Sequence, residues 1–273
     1  MNDFKFIDER YNIQNTLEYR LSIQVNPDGF SVLMCDSDSK IIKILHHNTG
    51  NFEKTLEIFR QDDSIDELKR ISFKEINILI NNCDFSFVPK VLYEKDTEKI
   101  YLSHSTIISD DAKIKSTRID ENDSRLIFKL DSDIQALIKL FKNSPNILHL
   151  SNSILPYIQK KIQGNGITFH STGNILYVAY FKQNKLIFFN AFHYMDPSEM
   201  VFHAVNSFKK LNIDSNPTSY YYGDMDSESK AYDLLKKYFP ELQQFDKEIP
   251  FGIAGNLNEN YFSNLLESLD CVL

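Results

Sequence analysis

The sequence predicts an α/β protein built from two related halves with a cleft between them. Three observations predict it. A meander of three short apolar strands appears near the start and again about 144 residues later. Each meander is followed by a helical pattern, a short buried strand and a further helical pattern. The composition, 42% hydrophobic and 25% charged with 21 Phe and 14 Tyr, supplies a sizeable core and excludes disorder as the main state.

In the first half, strands are expected over residues 21–25, 30–35 and 41–45. The first connection, Asn26-Pro27-Asp28-Gly29, is a turn with a mechanism: proline presets φ and Gly29 takes the left-handed position. The second is Asp36-Ser37-Asp38-Ser39. Phe52, Leu56 and Phe59 share one helical face; a strand over 76–80 and a helix beyond Pro89 follow. A strand over 125–130, a helix over 131–141 capped by Asp131 or Ser132, a strand over 147–150 and a helix over 154–162 complete this half.

The second half repeats the order. A strand over 167–169 enters the turn His170-Ser171-Thr172-Gly173, and strands over 175–181 and 186–192 flank the turn Lys182-Gln183-Asn184-Lys185. A helix over 198–211 opens with Asp196 as cap and Pro197 at its first position. A strand over 219–222 and helices over 229–239 and 258–269 close the chain. Aligning Gly29 with Gly173 matches Val25 with Phe169, Val32 with Leu176 and Met34 with Val178, a repeat of pattern and not of letters. The Gly164-Asn165-Gly166 stretch marks the boundary, giving halves of 1–163 and 164–273.

Net charge is −8, and the paired lysines 160–161, 209–210 and 236–237 fall near helix ends, where they complement the dipole. No basic face for nucleic acid is implied. Cys35, Cys83 and Cys271 have no C-x-x-C spacing; the first two read as buried small hydrophobes. With no secretory pattern and no apolar run near 18 residues, a cytoplasmic protein that does not span a membrane is expected. Eight glycines leave little room for phosphate-cradling loops, which need close backbone approach.

A βββαβα unit used twice resembles the actin-like ATPase superfamily, whose halves are ribonuclease H-like. More narrowly, the chain resembles a Bacteroidetes family of unknown function assigned to that fold. The residues that carry this are Leu21-Ser22-Ile23-Gln24-Val25 with the turn Asn26-Pro27-Asp28-Gly29-Phe30, the Asn184-Lys185-Leu186-Ile187 hairpin, and Tyr222-Gly223-Asp224 before Tyr232-Asp233-Leu234-Leu235. The resemblance covers about residues 18 to 270 and implies a nucleotide site made from three turns. The magnesium-holding aspartate of the first strand is replaced by Gln24. The first phosphate turn carries Pro27, which has no N–H, and the anionic Asp28 beside Gly29. The second, His170-Ser171-Thr172-Gly173, keeps two hydroxyls and a glycine, and His170 is expected to face the cleft. The adenosine turn keeps Gly223 alone, followed by Asp224.

Two function classes follow. The first is a non-catalytic interaction or scaffold protein, without cofactor, that binds an unidentified protein partner through an exposed apolar patch with aromatic residues gathered on one face. The alternative is an ATP-binding switch or weak ATPase with magnesium, contacting the ligand through Asp28, Gly29, His170, Ser171, Thr172, Gly173 and Gly223. A third reading takes Asp224 and Asp226 as the metal-binding pair of a transferase, but Asp36-Ser37-Asp38 and Asp131-Ser132-Asp133 share the spacing, and turns and caps explain all three. The calcium-loop rule fails at Ser229 and Leu235. The histidines give no metal spacing, and Gly252 and Gly255 precede the last helix. Self-association is a possibility of the superfamily that no residue here argues for.

Overall fold

The structure is a computed structural model, and it describes residues 3–120, 123–213, 217–225, 227, 229–245 and 262–270. The chain divides into two compact units, Met1–Ser153 with Leu265–Leu273, and Ile154–Asn264. The halves expected at 1–163 and 164–273 differ from this division by most of one helix and by the end of the chain. Residues 154–161 of that helix go with the second unit, where Tyr157 packs on Tyr222 and Phe245, with ring centroids 5.7 and 6.0 Å away.

The first unit runs β1 (Phe4–Ile7), β2 (Arg20–Asn26), β3 (Gly29–Cys35), β4 (Ile41–Asn48), α1 (Phe52–Gln61), α2 (Asp63–Arg70) and β5 (Glu75–Ile80). It continues through β6 (Phe85–Pro89), α3 (Glu98–Ser103), β7 (Lys113–Ile119), β8 (Ser124–Leu130), α4 (Ser132–Ile138) and β9 (Asn146–His149). The main sheet has the order β1-β4-β3-β2-β5-β9. The meander is antiparallel, and β5 joins β2 in parallel, as a strand reached through a helical crossover must. On β2, Leu21, Ile23 and Val25 fill one face, while Ser22, Gln24 and Asn26 are buried on the other. Helix α1 starts at Asn51, whose side chain accepts from the Lys54 N–H, and buries Leu56 and Phe59, the latter against Phe30.

Between β5 and α4 sits a separate three-stranded antiparallel sheet, β6-β8-β7. Val88, Leu102 and Ile127 form its small core with α3, flanked by Tyr93 and Tyr101. The expected helix beyond Pro89 is the six-residue α3, which holds Tyr101; Val91 and Leu92 lie before it and are exposed.

In the second unit α5 (Ser151–Lys161) leads to β10 (Gly166–Thr172), β11 (Ile175–Lys182), β12 (Lys185–His193), α6 (Pro197–Lys210), β13 (Thr218–Gly223), α7 (Lys230–Lys236) and β14 (Gln243–Gln244); α8 (Ser263–Asp270) follows, most of it belonging to the first unit. The sheet order is β12-β11-β10-β13-β14, the arrangement of β4-β3-β2-β5-β9 used again. Helix α6 starts as expected: Asp196 accepts from the Ser198 and Glu199 N–H groups, and Pro197 occupies the first turn. Met200, Val201 and Ala204 then pack on Phe169, Val178 and Leu235.

The hairpin register corrects the alignment of the halves. Asn26 faces Gly29 across the loop Pro27-Asp28, and Thr172 faces Ile175 across Gly173-Asn174. Pro27 therefore corresponds to Gly173, two residues away from the match of Gly29 with Gly173. A slip of two keeps every side chain on its face, so the hydrophobic pattern could not reveal it. In the true register Ser22, Gln24 and Asn26 correspond to Thr168, His170 and Thr172, and all six are buried.

Candidate functional site

The residues expected to bind phosphate sit at one hairpin tip in each unit. In the first unit neither Pro27 nor Asp28 has positive φ, and neither does Gly29. The expectation of a left-handed Gly29 is overturned. Gly29 is glycine for space: a Cβ there would lie 2.1 Å from the His47 carbonyl oxygen of β4. The Asp28 carbonyl oxygen accepts from the N–H groups of Thr49 and Gly50, both at 2.9 Å, which ties the tip to the entry of α1. Behind it, Asn26 Oδ1 accepts from Gln24 Nε2 and from Asn81 Nδ2, each at 2.9 Å. Where the superfamily places a carboxylate for magnesium, this unit has three neutral amides bonded to one another.

In the second unit the tip is Gly173-Asn174, both left-handed with φ of 54° and 58°, the pair that a tight two-residue hairpin requires. His170, Ser171 and Thr172 are strand residues of β10 and fully or almost fully buried, not members of an exposed turn. The strand continues three residues past its expected end because β11 and β13 pair with it on both sides. Ser171 Oγ bonds Tyr194 Oη at 2.7 Å. The His170 ring lies tilted against Tyr222, with centroids 4.0 Å apart, and its Nε2 lies 3.1 Å from Asn264 Nδ2.

Gly223 ends β13 with φ of 89°. A Cβ there would approach the Ser171 carbonyl oxygen to 2.3 Å and the His170 ring to 2.7 Å. This close approach delivers the next residue to the hairpin. The Asp224 N–H donates to the Ser171 carbonyl at 2.6 Å, and the Gly173 N–H donates to Asp224 Oδ2 at 2.9 Å. The tip thus already holds an anionic oxygen, supplied by the chain itself. Asp226, the proposed companion of Asp224, lies outside the described residues, as do Glu228, Gly252, Gly255 and Cys271. Among the described residues no group of three or more His, Cys, Asp or Glu is placed to hold a metal ion.

Sequence reasoning singled out Gly173, Gly223 and Asp224 but did not join them. It read Asn26 only as a turn residue and missed Asn81, which carries no motif. Of the remaining acidic pairs, Asp36 Oδ1 accepts from the Asp38 and Lys40 N–H groups in a turn, while Asp131 occupies the N-cap position of α4 without a side-chain cap bond and pairs with Lys129 Nζ at 3.3 Å. His46 and His149 are buried and bonded, to Ser31 Oγ for the first and to Ser151 Oγ and the Asn82 carbonyl for the second. Burial pushes both rings down to about 4, so they are neutral at pH 7. Cys35 is buried as expected; Cys83 is only half-buried.

A twice-used sheet of order 3-2-1-4-5, with helices in the crossovers, defines an actin-like ATPase fold, and solved structures bear this out. A Bacteroides thetaiotaomicron protein with actin-like ATPase fold and unknown function matches with a TM-score of 0.78 at 15% identity, over 96% of this chain and 99% of that one. A chain of the PilM-PilN type IV pilus biogenesis complex matches with a TM-score of 0.59 at 8% identity, over 94% and 99%. The chain belongs to the family described as "Protein of unknown function (DUF3822)", whose profile matches residues 8–242. No curated protein matches it in sequence. No helix among the described residues is long and apolar enough to cross a membrane.

Proposed function

We propose that this chain is a non-catalytic, partner-binding protein of the cytoplasm that uses the actin-like fold as a scaffold. The observation that carries the reading is the Asp224 carboxylate on the Gly173 N–H. A nucleotide phosphate at that tip would have to displace an anion or sit beside it. Two unit charges 4 Å apart repel by about 1 kcal/mol in water and about 4 kcal/mol near a protein surface. The tip in the first unit offers no N–H at Pro27, and its amides are turned towards one another. The PilM structure is a complex with PilN, so the fold holds a protein partner there.

The test is a thermal-shift titration with ATP and magnesium, run on the wild type and on Asp224→Ala. A ligand that binds only the folded state at a hundredfold excess over its dissociation constant adds about 2.7 kcal/mol. No shift is expected for the wild type at millimolar ATP. A clear wild-type shift would sink the reading and make the protein a nucleotide switch. In Asp224→Ala the freed Gly173 N–H is expected to gain measurable affinity for ATP or inorganic phosphate.

A further inference from the structure

Resting on the partner-binding reading, we propose that the groove between α6 and α7 docks a partner segment that presents two or more apolar side chains and a carboxylate. The groove has a volume of about 320 Å³, and its walls include Val201, Phe202, Val205, Leu234 and Tyr238, with Lys209 at one end. Cavities that take ligands begin at about this size.

The composition of the walls is what singles this groove out. Among the described residues, Phe202 and Tyr238 are the only Phe or Tyr side chains that are exposed, at 62% and 60%. Every other described aromatic of this Phe- and Tyr-rich chain is at least partly packed away. The two exposed rings stand on facing walls, one on α6 and one just beyond α7. Aromatic side chains give large contact area for few rotatable bonds, which is why they anchor so many interfaces. Neither ring is needed by the unit's own core, which is filled by Phe169, Met200, Leu235 and Phe239.

Charge decides the occupant. Phe208 and Phe239 meet edge to face at 5.4 Å, which brings the C-terminal ends of α6 and α7 together. Lys209 lines that end of the groove, Lys210 and Lys236 stand in the last turns of the two helices, and none of the three is ion-paired among the described residues. No acidic side chain lines the groove. The helix ends account for part of this positive charge, but they do not account for two solvent-facing rings beside it. On a chain of net charge −8, this end favours an acidic segment from another protein over a second copy of the chain.

The probe is a library of twelve-residue peptides displayed on phage, panned on the wild type and counter-selected on Phe202→Ser. Peptides carrying two or more of Leu, Ile, Phe and Met with an Asp or Glu are expected. A synthetic copy of the leading peptide should bind with a dissociation constant at least tenfold weaker on Phe202→Ser and several-fold weaker on Lys209→Ser, the second loss shrinking at high salt. Phe202 is exposed, so its variant should melt with the wild type, and this is checked first. No enrichment over Phe202→Ser, or enrichment of basic peptides, overturns the proposal. So does a wild-type dimer in sedimentation that Phe202→Ser makes monomeric, because the occupant is then a second copy. These outcomes do not touch the hairpin: a wild-type thermal shift with ATP and magnesium would refute the sealed tip and leave the groove standing.

Discussion

Replacing Gly223 by alanine isolates the close approach on which the Asp224 contact depends. Two costs add at this position. Positive φ costs an L residue roughly 1–2 kcal/mol, and φ here is 89°. The new Cβ would also stand 2.3 Å from a backbone oxygen and 2.7 Å from a buried imidazole, neither of which can swing away. Forcing a methyl into such a site typically costs a further 1–3 kcal/mol, so a total of about 2–5 kcal/mol is expected. Gly164 supplies the control within the same unit, with φ of 79° and nothing within 4 Å of its Cβ position. Gly164→Ala should show the φ cost alone. The chain has no Trp, so urea unfolding is followed by far-ultraviolet circular dichroism. If Gly223→Ala costs no more than Gly164→Ala, β13 does not press on β10 and the route by which Asp224 reaches Gly173 is wrong.

Gly29→Ala should be worse tolerated than its ordinary φ suggests, because the methyl meets the His47 carbonyl oxygen at 2.1 Å; β3 and β4 must part at that end. Loss of amide-exchange protection for residues 29–31 would show it, and unchanged protection would contradict the packing. The pH dependence has a defined sign. Burial lowers His149 to about 4 in the folded state against 6.5 unfolded, so between these values the unfolded chain binds the extra proton. Stability is therefore complete above pH 6.5 and falls as pH drops towards 4, by about 3 kcal/mol at most. The neutral ring donates from Nε2 to Asn82 and accepts at Nδ1, and protonation would set a second donor against the Ser151 N–H. His149→Gln should flatten the slope in urea titrations between pH 4 and 6.5; an unchanged slope would remove His149 as its source.

What the sequence revealed depended on local chemistry. The meanders were legible because Pro27, Gly29, Gly173 and the Gln183-Asn184 pair are turn residues, and α6 because Asp196 and Pro197 mark its start. The inserted sheet was only partly legible. Strand β7 alternates Lys113, Lys115 and Thr117 with Ile114, Ser116 and Arg118, which carries little apolar signal for so small a core. Strand β10 was cut short because His170, Ser171 and Thr172 are polar, and only a strand paired on both sides buries such a run. Asp224 was visible as an acidic residue after a strand. Its partner stands 51 residues away, and no spacing rule reports a contact between two separate loops.

The two tips differ in a way that one substitution explains through another. The residue after the fourth meander-linked strand is Asn81 in one unit and Asp224 in the other. Each donates its N–H to the equivalent carbonyl, Val25 at 3.0 Å and Ser171 at 2.6 Å. Their side chains then do opposite work. Gly173 has an N–H pointing at the tip, which needs an acceptor, and a carboxylate supplies it. Pro27, at the matching position, has no N–H to give. A carboxylate at position 81 would meet the Asn26 Oδ1 instead, oxygen against oxygen, whereas the Asn81 amide donates to it at 2.9 Å. The identity of the side chain behind each tip thus follows from whether the tip carries a donor. In both units the chain satisfies its own hairpin, where an actin-like ATPase would leave that work to the phosphates.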